Sequence, residues 1–253
     1  MATGWVFKPR RHEVSRVEGF SDAVFAFAVT LLVVSLEVPK TFNELMAAMR
    51  QFLAFAICFA MLFQVWWRHH NFFRRYGLAD PFSITMTGIL LFVVLFYVYP
   101  LKFVFVTIVG RIMGQPDTIV HADGTRESVM TPQQVPQVMM IYSLGFVAVF
   151  AVFTFLHLHA YRKRDTLELD AHEAFETRIT VLDNLAMVAI GLVSVAFALI
   201  AAFTHQLVWA MGSWLVYFSI GFVQWALGEH SGRGHRRLDT PVTKPQAAQT
   251  VAQ

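Results

Sequence analysis

The chain has 253 residues, of which 56% are hydrophobic and only 15% are charged. Soluble domains carry about 25% charged residues, so this composition excludes an ordinary soluble domain and indicates a protein that crosses a membrane several times. The formal net charge of +3 does not point to nucleic acid, because the basic residues fall in short segments between apolar runs, where membrane topology explains them.

Six apolar runs have about the 20 residues that a membrane-spanning helix needs. We therefore predict an all-α, polytopic membrane protein with six transmembrane helices. Residues 1–228 form one six-helix domain, and residues 229–253 are polar and are expected to form a disordered cytoplasmic tail. The six runs, in chain order, are 20–38, 45–67, 82–106, 138–161, 179–203 and 207–227.

Two connections between these runs differ in composition. Residues 107–137 carry several glycines and prolines, which predicts an irregular loop. The segment from 162 to 178 contains neither residue, so we expect the flanking helices to continue into it.

The basic residues define an orientation. With the N-terminus inside, most of them lie at the cytoplasmic ends of the runs, which predicts that both termini are cytoplasmic. The four cytoplasmic clusters span Lys8–Arg16, Arg68–Arg75, Arg162–Arg178 and Arg233–Lys244.

The first run holds two polar interruptions, Asp22 and Thr30. An ionisable group costs about 2.5–3.5 kcal/mol at the centre of a membrane helix on insertion scales, so such a group usually has a partner or a function. Arg16 is six residues before Asp22, which is not a helical i,i+3 or i,i+4 spacing. We therefore expect the partner of Asp22 at the cytoplasmic end of the second run. The candidates there are Arg68, His69 and His70.

Position alone leaves two interpretations of this polar cluster open. It is either a lock that holds the first two helices together near a gate, or an interfacial anchor of the kind that aromatic and basic residues commonly form. The stripe of Phe27, Leu31 and Val34, which follows i, i+4, i+7 spacing, is also ambiguous. Lipid contact or packing inside a bundle explains such a stripe as well.

A second intramembrane acid, Asp183, is followed by Asn184. It is either a structural pair or an attractor for cations, and the sequence does not separate these. A metal site needs three or four ligands, and His157 and His159 cannot share a helix face. We see no nucleotide-binding loop, no hydrolase or zinc-protease motif and no Thr-Val-Gly-Tyr-Gly filter. We therefore expect no catalytic residue, no metal and no cofactor.

The first run nevertheless carries a recognisable pattern. Arg16-x-x-x-Phe20-Ser21-Asp22, followed by Ala-Val-Phe-Ala-x-Ala-x-Thr30-Leu31-Leu-Val, resembles the signature of the transmembrane protein 175 family of potassium channels. Trp67-x-x-His70 in the second run is also similar to the family.

This resemblance implies a passive, potassium-preferring channel in the plasma (inner) membrane of a prokaryote, with K⁺ as the permeant ion and no cofactor. Its partners are the lipid bilayer and other copies of the chain in a homotetramer, with the first helix of each copy lining the pore. The constriction falls on Phe27, Leu31 and Val34, with Thr30 as a polar layer linked to selectivity. The helix-bracing network consists of Arg16, Phe20, Ser21, Asp22, Trp67 and His70.

Two positions depart from the family pattern. Phe27 stands where Ile or Leu is usual, and its larger, flat ring is expected to narrow or dewet the constriction further. Val34 is smaller than the common Leu. These differences bear on conductance and selectivity.

The alternative is a proton- or cation-coupled secondary transporter, in which membrane acids and histidines form a relay. Carriers often show inverted repeats or broken helices, and neither is visible here. A membrane enzyme that holds haem or copper on its histidines is a third class. The relay residues would be Asp22, His69, His70 and Asp183.

Overall fold

The structure is a computed structural model that describes residues 7–10, 13–34, 40–115, 118–120 and 123–239. It is all-helical apart from one short two-stranded ribbon, which confirms the predicted fold class. The helices are α1 (Arg16–Val34), α2 (Phe42–Tyr76), α3 (Pro81–Ile112), α4 (Val135–Arg162), α5 (Ala171–Thr204), α6 (Leu207–Leu215) and, after a 3₁₀ turn at Val216–Phe218, α7 (Ser219–Asp239).

Five of the described helical segments are long and apolar enough to cross a membrane. They are α2, α3, α4, α5 and the continuous run Leu207–Gly234, which contains α6 and most of α7. Helix α1 is the sixth apolar helix, with 19 residues and its acidic groups confined to the first two turns. The six predicted apolar runs therefore correspond to helices in the predicted order.

Local sequence explains where several helices begin and end. Thr41 and Glu44 form a capping box at the start of α2, and Asp170 and Glu173 form another at the start of α5. Each box satisfies backbone N–H groups that have no partner inside the helix. Gly77 ends α2 with φ of 61°, a left-handed conformation that glycine adopts without steric cost.

Several helices extend beyond the predicted apolar runs. Helix α2 continues to Tyr76, nine residues past the end of its run, and α5 begins at Ala171, eight residues before its run. The expectation that helix continues into the segment between the fourth and fifth runs is confirmed for α5. These extensions contain charged residues, which are compatible with helix, and they contain neither glycine nor proline.

The segment 107–137 is more ordered than predicted. Its central part is an antiparallel ribbon of β1 (Thr118–Val120) and β2 (Arg126–Ser128). The connecting turn contains Gly124 with φ of 81°, and Asp123 Oδ1 accepts a hydrogen bond of 2.9 Å from the Thr125 backbone. The prediction of an irregular loop was wrong here because the turn residues close a hairpin.

The predicted disordered tail begins instead as helix. Helix α7 includes residues 229–239, and its polar side chains contact α5. Ser231 Oγ donates a hydrogen bond of 3.0 Å to Glu176 Oε2, and the rings of His230 and Phe175 stack with centroids 6.5 Å apart. The boundary at residue 228 was therefore wrong, because polarity was taken as a sign of disorder where α5 offers polar partners. The rest of that tail lies outside the described residues.

Helices α4 and α5 form the most extensive helix pair. Gly191 on α5 leaves no room for a side chain against Val147 of α4, and the hydroxyls of Ser143 and Ser194 form a hydrogen bond of 2.8 Å between the two helices. Small residues and interhelical hydrogen bonds are what hold membrane helices together, since lipid is as apolar as the core.

A short N-terminal segment, residues 7–10, packs across the end of the bundle where α5 begins. The Arg10 guanidinium forms an ion pair with the buried carboxylate of Glu173. It also donates to the backbone carbonyls of Leu167 at 2.8 Å and Glu168 at 3.2 Å. The chain that leads into α1 is thereby attached to the start of α5.

Asp80 connects the start of α3 with the end of α4. Its Oδ1 caps α3 by accepting from the Ser83 backbone at 3.2 Å, while Oδ2 accepts from His159 Nε2 at 2.6 Å and Lys163 Nζ at 2.7 Å. Burial by itself would raise the pKa of Asp80, but the hydrogen bonds from Lys163, Ser83 and His159 outweigh it and hold the pKa well below its usual range.

We expect Asp80→Asn to lower stability at neutral pH by about 1 kcal/mol, because the amide still caps the helix but no longer attracts Lys163. Asp80→Ala removes the cap as well and is expected to cost about 2 kcal/mol. A carboxylate with a lowered folded-state pKa contributes stability above its unfolded pKa of about 3.9 and loses it as pH falls through the folded value.

Thermal unfolding in detergent at several pH values tests this. The deficit of both variants should persist from pH 7 down to about pH 4 and shrink only below it. Asp165→Asn, at an exposed carboxylate 3.8 Å from Arg164, should change nothing. A deficit that vanishes between pH 7 and pH 5 would contradict the assignment.

Candidate functional site: the open face of helix α1

Helix α1 has one packed face and one open face. The packed face consists of Ser21, Phe25, Ala28 and Leu32, all buried and spaced four, three and four residues apart, as one side of an α-helix requires. The opposite side is exposed in the subunit. A contiguous apolar surface of this kind marks contact with lipid, with another subunit or with a conduction pathway.

Two of the predicted constriction residues, Phe27 and Leu31, lie at this open face or at its edge. Phe27 is 56% exposed, while Leu31 is half-buried and packs against the core. Thr30 is exposed, and its Oγ1 donates a hydrogen bond of 3.0 Å to the Ala26 carbonyl. Val34 is the last residue of α1, and its side chain lies outside the part of the chain that the structure describes. The assignment of these residues to a constriction stays a prediction.

Helix α1 starts with a capping box that the sequence analysis missed. The Glu18 carboxylate accepts from the Ser15 backbone at 2.8 Å, and the Ser15 hydroxyl accepts from the Glu18 backbone at 3.2 Å. Glu18 is buried. The pattern Ser-x-x-Glu directly before an apolar run is a known signal for such a helix start, so the sequence did contain the information.

Asp22 has its partner on α2, as expected, but the residue is Trp66. The indole Nε1 donates a hydrogen bond of 2.7 Å to Asp22 Oδ1, so the proposed pairing with Arg68, His69 or His70 was wrong. Successive side chains of α2 point about 100° apart around the helix axis, and the side chain that points toward α1 is that of Trp66. The His70 ring stacks on Trp66 with centroids 5.4 Å apart and supports the indole from one turn further on.

His69 packs at the junction of three helices. It is buried, with its ring centroid 5.9 Å from that of Phe25 on α1 and 4.9 Å from that of Phe73 on α2. Its Nε2 lies 3.4 Å from Thr87 Oγ1 on α3. His69 therefore acts as a packing residue of α1, α2 and α3.

Arg68 faces away from α1 and neutralises the second intramembrane acid. Its Nη1 donates to Asp183 Oδ2 at 3.0 Å and to Asn184 Oδ1 at 3.3 Å, both on α5. Gln224 of α7 donates to Asp183 Oδ1 at 2.9 Å. The sequence left two interpretations of Asp183 open, a structural pair or an attractor for cations. These contacts favour the structural pair.

The other residues of the predicted network are only partly brought together. Trp67 stacks with His70 at 6.0 Å, so both belong to the α2 side of the contact. Ser21 Oγ donates to the Val17 carbonyl at 2.7 Å and allows close helix packing. Arg16 and Phe20 are exposed, and neither side chain has a hydrogen-bond or ring contact with any residue that the structure describes.

A further polar contact, also missed from the sequence, holds the other end of α1. Lys102 Nζ on α3 donates a hydrogen bond of 2.7 Å to the carbonyl of Leu32. The last carbonyls of a helix lack partners within it and carry partial negative charge, so a lysine is favourable there. A lone lysine shortly after Pro100 in an apolar run was the available signal.

Within the described residues, no three His, Cys, Asp or Glu side chains come together as a metal site would require. What the residues form is a helix with a partly aromatic open face, held by polar contacts at both of its ends. Such an arrangement can position side chains along a pathway, and it offers no nucleophile or acid–base pair.

Known proteins resemble this chain over most of its length. Residues 16–100 match the family described as the endosomal/lysosomal potassium channel TMEM175. A potassium channel of Marivirga tractuosa is 37% identical over 232 residues, which cover 92% of this chain and 93% of that protein. A potassium channel of Chamaesiphon minutus is 34% identical over 100 residues, 36% of this chain and 49% of that protein.

The fold is also similar to a solved structure. The crystal structure of a variant of the potassium channel MtTMEM175, in complex with a nanobody–MBP fusion, superposes with a TM-score of 0.77 at 35% identity. The match covers 92% of this chain and all of that one.

Fold and similarity together define the class: a multi-pass helical membrane protein of the ion-channel type, and not an enzyme. The chain belongs to the TMEM175 family. The family resemblance drawn from the first two apolar runs is thereby confirmed.

The hydrogen bond between Trp66 and Asp22 generates a testable prediction. Trp66→Phe keeps an aromatic ring against His70 but removes the donor, so we expect a loss of about 1.5–3 kcal/mol in stability, the usual contribution of a hydrogen bond to a charged group. Thermal unfolding of the protein in detergent measures this.

Trp67→Phe is the matched control. Trp67 is half-exposed and its indole has no hydrogen bond to the described residues, so its substitution should cost less than about 0.5 kcal/mol. Equal losses in the two variants would show that ring size, and not the bond to Asp22, matters.

Proposed function

We propose that this protein conducts potassium ions passively through a pore lined by α1 from four copies of the chain. The observation that carries the proposal is the open face of α1, where Phe27 and Thr30 are exposed while Ser21, Phe25, Ala28 and Leu32 on the opposite face are buried against their own subunit. The relatives described above are named potassium channels, which supports potassium as the permeant ion.

The chemistry of the open face suits cation passage. Because the Thr30 hydroxyl donates its proton to the Ala26 carbonyl, its oxygen lone pairs remain available as acceptors. Four such oxygens around an axis would replace part of the hydration shell of K⁺. Apolar rings of Phe27, Leu31 and Val34 on either side of that layer would close the pathway by excluding water.

The contacts of Asp22 give the helix a defined rotation. The hydrogen bond from Trp66 and the burial of Ser21 and Phe25 against the subunit together direct Phe27 and Thr30 to the opposite side. Asp22, with Trp66 and His70, therefore serves in this proposal as the brace of the pore helix. Arg16 and Phe20, which are exposed in one subunit, are available to contact a neighbouring copy.

The same contacts weaken the case for a coupled transporter. Asp183 is paired with Arg68 on one side of α2, whereas Asp22 is bonded to Trp66 on another. A proton relay needs groups that exchange partners along a path, and these two acids are separated by the body of α2. No contact among the described residues joins them.

We also propose an orientation of the protein in the membrane and the membrane in which it lies. Both termini face the cytoplasm, because the basic ends of α2 and the segment between α4 and α5 then lie on the inside. The membrane is the plasma membrane of a prokaryotic cell. No cofactor is needed, since the ion moves down its own gradient.

Flux through the reconstituted protein tests the constriction. We expect Phe27→Ala and Leu31→Ala each to raise K⁺ efflux from loaded liposomes by about tenfold, which corresponds to a barrier lower by about 1.4 kcal/mol. The reason is that smaller side chains widen and wet the narrowest part of the pore.

Phe96→Ala is the control, because Phe96 is an equally exposed phenylalanine on α3, away from the proposed axis. Its flux should match that of the unchanged protein. A protein that moves no K⁺, or α1 variants that behave like the α3 control, would refute the proposed pore.

Selectivity supplies a separate prediction for Thr30. Thr30→Val keeps the shape of the side chain but removes the oxygen. We therefore expect the ratio of K⁺ to Na⁺ permeability to fall several-fold, a difference of about 1 kcal/mol in barrier height. The reversal potential under mixed-ion conditions measures this ratio. Thr85→Val, at an exposed threonine on α3 with the same bond to the carbonyl four residues before it, should leave the ratio unchanged.

A further inference from the structure

A cavity of about 390 Å³ lies between α2, α3, α4, α5, the 3₁₀ turn and α7. It is on the side of α2 that faces away from the open face of α1, so it is distinct from the proposed pore. Its volume falls in the range of sites that bind small molecules, roughly 300–1,000 Å³. Its deeper wall is apolar and includes Val94, Val98, Leu101, Val149 and Met187.

The charged and amide side chains of the cavity are concentrated at one end. Gln64, Arg68 and Gln224 lie there, and Arg68 is partly exposed. The contacts of Arg68 with Asp183 and Asn184 all use Nη1. Its Nε and Nη2 have no acceptor among the residues that the structure describes, and the same is true of the exposed Gln64 amide.

The cavity thus has the two parts of an amphiphile site. From Arg68 to Met61 the cavity follows α2 for seven residues, a length of about 10 Å, which accommodates part of an extended alkyl chain. An apolar space of this kind is not filled favourably by water. At its end, the free edge of a guanidinium offers parallel N–H donors that match a phosphate group.

The surrounding charge favours an anionic headgroup. Asp183 occupies only the Nη1 side of Arg68, and Arg74 and Arg75 follow in the last turn of the same helix. Basic residues at the end of a membrane helix attract anionic lipids.

We propose that this cavity binds one acyl chain of an anionic phospholipid from the surrounding bilayer, with the lipid phosphate held by Nε and Nη2 of Arg68 and by Gln64. Val65 and Arg68 line the cavity and flank Trp66 in sequence, so the bound lipid would support the segment of α2 that holds Asp22. The binding site does not depend on whether the protein conducts K⁺.

Photolabelling tests the position of the chain. The full-length protein is reconstituted in phosphatidylcholine vesicles with a trace of phosphatidylglycerol that carries a diazirine along one acyl chain, and the labelled peptides are identified by mass spectrometry. We expect label on the deep wall, at Leu101 and Met187. Val98→Phe, which fills the cavity, should reduce that label at least tenfold.

Ile141→Phe is the matched control, because Ile141 is exposed on α4 beside a shallow apolar surface without a basic group. It should leave the cavity label unchanged. Label that survives Val98→Phe would overturn the proposal. An unlabelled cavity in the assembled protein would also overturn the proposal, because a neighbouring copy would then cover the opening.

Competition tests the headgroup. Excess unlabelled phosphatidylglycerol should displace the label, whereas phosphatidylcholine of the same chain length and soluble glycerol phosphate should not. Gln64→Leu, which leaves the pair of Arg68 and Asp183 intact, should weaken the preference for phosphatidylglycerol several-fold, and Arg68→Gln should abolish it. Equal displacement by both lipids would show ordinary annular lipid and overturn the site.

Discussion

The position of α1 depends on the hydrogen bond from Trp66 to Asp22 and on the turn of α2 that supplies it. Around this turn, α2 contacts three different neighbours: Trp66 bonds to α1, Arg68 to α5, and His69 packs against α1 and α3. The helical rotation of about 100° per residue distributes these contacts around the axis. A single turn of α2 thereby connects α1 to the rest of the bundle and helps to orient its open face.

The charged groups of the membrane region have polar partners within the subunit. Asp22 accepts a hydrogen bond from Trp66, Asp183 is paired with Arg68, and Lys102 is bonded to a backbone carbonyl. Intramembrane charges need such partners. A full negative charge beside Thr30 would bind a cation too strongly for rapid release, whereas neutral oxygens bind it weakly. These pairings within the subunit would suit the pore proposed above.

Much of this arrangement could be predicted from the sequence, because hydrophobic length alone defines membrane helices. The contact between Asp22 and α2 followed from topology, but its identity as Trp66 depends on the relative rotation of two helices, which one sequence does not contain. The role of Asp183 required the same kind of tertiary information. Residues 229–239 were misjudged because composition does not reveal that α5 offers partners to α7.

The bond from Lys102 to Leu32 has a mechanical consequence. With Asp22 held by α2 near one end and Leu32 held by α3 near the other, α1 is attached at two points about 15 Å apart. Thr30 and Phe27 lie between these points. A helix fixed in this way cannot turn about its own axis without breaking one attachment, so in the proposed pore any change in width would have to come from tilting α1, α2 and α3 as one unit.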